Sequence, residues 1–201
     1  MTCHPTEELV ATGDEKGRIF LWREIFAKRE PMTALYHWHH TPVNSIAFTL
    51  SGSSFYSGAH ENVLVRWNAD KDGLREFLPR MWGTPVHITV GAENQKVAIA
   101  TDDNGIQILN ARNDPMAIIQ NFTCLPNDKT KVQKFPIGLK VNPRTSSLVL
   151  NGRVGHLQFY STHTRNLLFN VSVVFRDRQV TEADRLSSLP DGYNWSKSTQ
   201  H

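Results

Sequence analysis

Residue types able to do chemistry gather in three places along this chain. His37, His39 and His40 surround Trp38, and imidazoles at alternate strand positions can converge on a metal ion. No cysteine or carboxylate completes a set at metal-ligand spacing, so no metal site is expected. His60 and Glu61 are adjacent, but neighbouring turn residues point apart and no nucleophile accompanies them, which predicts a solvated turn and not an acid–base pair. The third place is basic. Between Pro126 and Arg153 stand Lys129, Lys131, Lys134, Lys140, Arg144 and Arg153 against the single acid Asp128. Lysines there would neutralise phosphates of a folded RNA, or an acidic partner, without reading bases. The bland alternative is a loop that uses charge for solubility, since few aromatics interleave to stack bases.

Nucleophile elbow, Walker loop and dinucleotide fingerprint are all missing from the sequence. No catalytic residue, cofactor or small-molecule substrate is therefore expected. Overall charge is nearly balanced, 22 basic against 19 acidic residues, too even to mark a nucleic-acid binder by composition. Cys3 and Cys124 lie in no metal or redox spacing and read as reduced thiols in core positions. Met1 to Leu9 is polar, and no segment approaches the ~18 apolar residues of a membrane helix. A soluble intracellular protein without membrane contact is expected, and the sequons at Asn121, Asn170 and Asn194 read as chance matches.

The elements that position these residues emerge from self-similarity. Aligned on Trp22, Trp67, Leu109 and Tyr160, which lie 45, 42 and 51 residues apart, the chain divides into four copies. Counting back 21, 19, 12 and 3 residues from each anchor, and including the anchors, twenty of twenty positions are apolar. Chance would give this with a probability on the order of 10⁻⁸ before allowing for choice of register. Five residues before each anchor stand Gly17, Asn62, Asn104 and Gly155, the types that tolerate positive φ in a hairpin turn. Nine before stand Gly13, Gly58, Ala100 and Asn151, small residues where one strand closes toward its neighbour. Each copy thus reads strand, turn, strand, turn, strand. Thr33 to His37, Leu74 to Leu78 and Ala117 to Thr123 supply a fourth, outer strand.

This period and strand count resemble the WD-repeat family of β-propellers, an all-β fold of four-stranded blades. The resemblance implies a hydrogen-bonded cluster in which a turn acid and a strand hydroxyl hold a Trp and a loop His. Thr12 and Ser57 take the hydroxyl position, Asp102 and Asp103 the turn, Trp22 and Trp67 the indole, and His39 or His40 the loop. On this reading no single copy has all four members, and Trp22, Ser57, Trp67, Gly17 and Gly155 are structural residues. Ser57 to Trp67, Phe77 to Arg80, Asp102 to Leu109 and above all Leu150 to Ser161 are similar to one branch of the family, a nucleolar small-subunit processome component. That likeness implies a non-enzymatic scaffold in the nucleus and nucleolus, acting in ribosome biogenesis, small-subunit pre-rRNA processing and support of RNA polymerase I transcription. Implied partners are other processome proteins, with pre-ribosomal or small nucleolar RNA beside them. The alternative is a propeller adaptor elsewhere, such as a ubiquitin-ligase substrate receptor or a signalling scaffold, because function sits on the loops of this fold.

The branch is several times longer, with tandem propellers, and the likeness stops after about Phe175. Residues 1–175 are thus expected to form a partial propeller, and the polar stretch 176–201 to be disordered. A seven-bladed ring needs about 300 residues. Four copies predict an open arc, the more so because Met1 and Cys3 align with Ile46 and Phe48 while nothing precedes them to match Pro42 and Val43.

Overall fold

The computed structural model describes residues 1–27, 29–71, 73–78, 81–91, 96–112, 116–123, 139–142, 147–153, 156–162 and 166–172. Gly155, Cys124, Lys129, Lys131, Lys134, Arg144 and the stretch 176–201 lie outside them. Among the described residues sixteen strands form four antiparallel sheets of four, each sheet built from consecutive strands. The first holds β1 (Thr2–Cys3), β2 (Leu9–Gly13), β3 (Arg18–Arg23) and β4 (Met32–His37). The second holds β5 (Val43–Phe48), β6 (Ser54–Ala59), β7 (Leu64–Asn68) and β8 (Arg75–Leu78). In the third are β9 (Pro85–Val90), β10 (Lys96–Thr101), β11 (Gly105–Asn110) and β12 (Ala117–Thr123). The fourth has β13 (Leu139–Val141), β14 (Ser147–Arg153), β15 (His156–Ser161) and β16 (Leu167–Ser172). Among the described residues no helix is long and apolar enough to cross a membrane.

The register reproduces the sequence columns. Cys3, Val10, Trp22 and Thr33 lie opposite one another across the first sheet. Phe48, Phe55, Trp67 and Arg75 do so in the second, and Val90, Val97, Leu109 and Ile118 in the third. The period-2 alternation of a strand sends each such row to one face. Turn chemistry fixes this register. Asn62 and Asn104 have φ of 58° and 64°, and Gly17 has 77°, so three of the four turn-column residues adopt the left-handed backbone their types permit.

Sheets stack face to face in chain order. Phe48, Phe55, Val65 and Trp67 of the second meet Leu9, Ala11, Ile19, Leu21 and Tyr36 of the first. Tyr56, Leu64 and Leu78 on the opposite face of the second meet Val97, Ile99 and Leu109 of the third. Ala98, Ala100, Ile106 and Ile108 then meet Leu139, Leu148 and Leu150 of the fourth. Edge-on aromatic contacts fasten the first interface: the Tyr36 ring lies 5.3 Å from Phe55 and 5.5 Å from Trp67, at 83° and 82°. Each such pair adds about 0.5–1.5 kcal/mol beyond burial. The inner strands are tied sideways, with the Ile88 N–H donating to Ser45 Oγ at 3.0 Å and the Val141 N–H to Thr89 Oγ1 at 3.3 Å. A cavity of about 620 Å³ runs along those inner strands, from Thr2 past Ser45 and His87 to Lys140.

The four sheets form an open arc. Positions facing the preceding blade are fully buried in the second sheet (Phe55 and Val65 0%, Trp67 2%) and in the third (Val97 and Leu109 0%). Their equivalents Val10, Phe20 and Trp22 are only half-buried. Cys3 shares that row and is exposed, which corrects its assignment to the core. Its strand position faces inward by the pattern, but among the described residues no neighbouring sheet covers the first face.

Sheet spacing explains the small-residue column. A Cβ on Gly13 would lie 2.7 Å from Val43 Cβ, and one on Gly58 would lie 2.6 Å from Pro85 Cβ. In both cases the next inner strand passes directly over the glycine. Gly58→Ala is therefore expected to cost about 1–3 kcal/mol, the range for overpacking a close contact, measured by urea unfolding. A variant as stable as the parent would contradict this stacking distance.

Candidate functional site

Trp67 on β7 and Ser57 on β6 lie on one face of the second sheet, below the loop joining β4 to β5 and the turn joining β6 to β7. Trp67 Nε1–H donates to Ser57 Oγ at 2.8 Å, and Ser57 Oγ lies 2.7 Å from His39 Nε2. On the far side of the ring Glu61 Oε2 is 3.3 Å from His39 Nδ1. That last contact is an ion-pair distance that falls outside linear hydrogen-bond geometry. The other Glu61 oxygen accepts the backbone N–H groups of His40 and of Thr41, the latter at 2.8 Å. Proton placement follows from the donors. Trp67 can only donate, so the Ser57 hydroxyl passes its own hydrogen to His39 Nε2, leaving Nδ1–H directed at Glu61. The groups form one relay, indole to hydroxyl to imidazole to carboxylate.

This relay overturns two expectations from the sequence. The second copy does have all four members, with Glu61 as its acid, and His39, not His40, is the loop histidine. Glu61 is also not a solvated turn residue, since its side chain keeps only 18% of its surface. The backbone N–H groups of His40 and Thr41 draw its carboxylate under the loop. A signal was present: Glu61 and Asp103 both stand six residues before their anchors.

Burial sets the charges. Desolvation holds the His39 pKa below its ordinary 6.5, with Glu61 opposing. Burial pushes the Glu61 carboxyl up, but the backbone N–H groups of Glu61, His40 and Thr41 outweigh it and the net shift is downward from 4.5. At neutral pH the relay therefore contains a neutral imidazole and a carboxylate. Serine, histidine and glutamate in this order resemble a nucleophilic triad. Ser57 and His39 are both 0% exposed and Trp67 occupies the hydroxyl oxygen, so no substrate atom can reach it. The relay closes a turn onto a sheet.

The other copies treat the same positions differently. In the third, the places of His39, Ser57 and Trp67 are taken by Met81, Ile99 and Leu109, which pack together in one apolar cluster. Its turn acids serve the backbone instead. Asp102 Oδ1 accepts the Thr84 N–H at 2.9 Å, and Asp103 Oδ1 accepts the Thr101 hydroxyl and the Gly105 N–H. In the first copy Trp22 Nε1–H donates to Thr12 Oγ1 at 2.8 Å. Gly17 sits beneath the loop of the next blade, where a Cβ would lie 2.1 Å from the His39 carbonyl oxygen. The relay loop can descend only onto a glycine. Of the three clustered histidines, His37 and His40 are exposed while His39 is buried. Among the described residues no group of three or more His, Cys, Asp or Glu is placed to hold a metal ion.

Comparisons with known proteins agree with this geometry. A family model described as the WD repeat-containing protein 75 first beta-propeller matches residues 1–104, and that of the second beta-propeller of the same protein matches residues 139–187. WD repeat-containing protein 75 of Homo sapiens is 37% identical over 174 residues, 87% of this chain and 20% of that protein. The Xenopus laevis protein of the same name is 39% identical over the same shares. U3 small nucleolar RNA-associated protein 17 of Schizosaccharomyces pombe is 30% identical over 101 residues, 50% of this chain and 12% of that protein. The chain thus spans about a fifth of the length of the vertebrate relatives it matches. Among solved structures, the Cps50 (Swd1) beta-propeller domain of Myceliophteria thermophila superposes with a TM-score of 0.73 at 12% identity, covering 86% of this chain and 54% of that one. That likeness shows the fold alone.

Two outcomes are expected from the relay. Trp67→Ala should cost roughly 3–5 kcal/mol, the range for truncating a large buried aromatic, and an unchanged melting temperature would contradict the register. The second outcome is pH dependence. The unfolded chain takes up a proton at His39 near pH 6.5, while the folded chain resists it until lower pH. Stability is thus fully present above 6.5 and lost as pH falls through the window below it; Glu61 adds a further loss below 4.5. Denaturant unfolding from pH 8 to 5 should show this slope, and His39→Gln should flatten its upper part. A slope unaltered in His39→Gln would remove His39 as its source.

Proposed function

This chain belongs to the WD repeat-containing protein 75 family, and from that premise we propose that it acts as a non-enzymatic scaffold segment of the nucleolar small-subunit processome. The observation that carries the reading is the first-propeller match over residues 1–104, supported by a relative whose name associates it with the U3 small nucleolar RNA. The physical features suit such a role. The relay and the interleaved apolar faces fix rigid blades, and the turns they hold are free to differ from blade to blade. Protein partners from the processome, small-subunit pre-rRNA processing, support of RNA polymerase I transcription and a nucleolar location all belong to this proposal. RNA contact would fall to Lys129, Lys131 and Lys134, whose side chains supply phosphate-neutralising charge without base readout.

The test is to express the tagged chain in animal cells, follow its location by fluorescence and identify what copurifies. Nucleolar signal with U3 RNA and processome proteins is expected; recovery of ubiquitin-ligase or signalling complexes instead would overturn the reading. Replacing Lys129, Lys131 and Lys134 together by Glu should weaken RNA recovery and flatten its salt dependence, by up to about 2 to 3 in log–log slope. Unchanged recovery at every salt concentration would reduce the three lysines to a solubilising role.

A further inference from the structure

The turn face of the third blade presents a tryptophan with 55% of its surface exposed, Trp82, in the loop between β8 and β9. Its backbone is nevertheless fixed. The Met81 N–H donates to Asn62 O at 2.9 Å, the Trp82 N–H to Gln107 Oε1 at 3.4 Å, and Thr84 and Asp102 exchange bonds, N–H to Oδ1 at 2.9 Å and N–H to O at 3.0 Å. Met81 is buried beneath it. An exposed aromatic whose own backbone is held by such bonds loses little entropy when a partner covers it, the property of an interface anchor.

Two carboxylates stand beside that loop. A Cβ on Gly83, the residue after Trp82, would lie 2.6 Å from Asp102 Oδ1 and 3.2 Å from Asp103 Oδ1. In each acid Oδ1 holds the local backbone, which orients the group, while both residues stay exposed. Among the described ion pairs none involves Asp102 or Asp103. The facing groups on the adjoining turn are the His60 imidazole, 3.5 Å from Thr84 Oγ1, and Glu61, which the relay occupies.

We propose that Trp82, Asp102 and Asp103 form a docking surface for an arginine-bearing segment of a protein partner. A guanidinium stacks on indole and presents a planar fork to carboxylates, whereas a lysine ammonium is compact and more strongly hydrated. Two acids repel phosphate, so this surface and the lysines at 129–134 select opposite chemistries. The assignment goes beyond the scaffold role, since it specifies what one turn of the scaffold binds.

Fluorescence anisotropy tests it, using the 201-residue chain and a labelled glycine–arginine repeat peptide. The same peptide with citrulline for arginine and a labelled oligouridine are the comparators. The arginine peptide should bind at least about tenfold tighter than the citrulline one. Trp82→Ala should weaken it about fivefold. Asp102→Asn with Asp103→Asn, which keeps an accepting oxygen at each position, should weaken it about tenfold. Asp70→Asn, an exposed acid in another turn, should leave binding within about twofold, and circular dichroism should show every variant folded. Equal binding of the arginine and citrulline peptides would overturn the proposal, as would unchanged affinity in Trp82→Ala or an equal loss in Asp70→Asn. Oligouridine binding that Trp82→Ala abolishes would replace it with a stacking platform for RNA.

Discussion

A polar group taken out of water must find its partner or cost several kcal/mol, and the relay from Trp67 to Glu61 is where this chain meets that constraint. The sheet needs a large side chain to fill the space against the first blade, and an indole fills it while bringing an N–H. Ser57 accepts that N–H, His39 accepts the serine hydrogen, and Glu61 faces the remaining imidazole N–H. Each member as far as the imidazole solves the problem created by the one before, and the last N–H meets the carboxylate at ion-pair distance. Because the carboxylate also caps two backbone N–H groups of the descending loop, the buried chain ends by positioning the connection to the next inner strand. Packing and loop geometry are thus set by one set of bonds.

The third blade shows the other way of meeting the constraint, which is to replace indole, hydroxyl and imidazole together with apolar groups. Met81, Ile99 and Leu109 fill the same positions with no hydrogen to place, and the acids of that turn bind backbone instead. A half-substituted set would strand a buried donor or acceptor, which costs more than either complete solution. Without the relay, the third blade carries Trp82 on its entry loop and two oriented aspartates on its turn. Divergence of the interior set accompanies a different surface chemistry on the same blade.

Much of this was legible in the sequence, and what escaped had a physical reason. The four anchors, the apolar columns and the turn residues Gly17, Asn62 and Asn104 report backbone geometry that local residue types reveal directly. Gly13 and Gly58 were recognisable as small, but their reason is the inner strand of the next blade passing over them, a contact more than 25 residues away in each case. Glu61 was misread because a charged residue in a turn is ordinarily solvated, and only the loop folding over it makes it an interior group. Cys3 was misread in the opposite direction. Its column is apolar, but its burial depends on a neighbour for the first blade that the described residues do not include.

The second and third blades carry two solutions to one interior problem, and exchanging their residues shows whether each set acts as a unit. The second blade would be given the third blade's residues, singly and then together: His39→Met, Ser57→Ile and Trp67→Leu, with stability measured by denaturant unfolding. Each single change breaks the relay and should destabilise the fold. The triple variant leaves no stranded donor or acceptor among the three, and Glu61 keeps the His40 and Thr41 N–H groups, so it should recover much of that loss and fall well short of the summed single effects. A triple variant as unstable as the sum, or more so, would contradict this and show the relay to be three independent contacts.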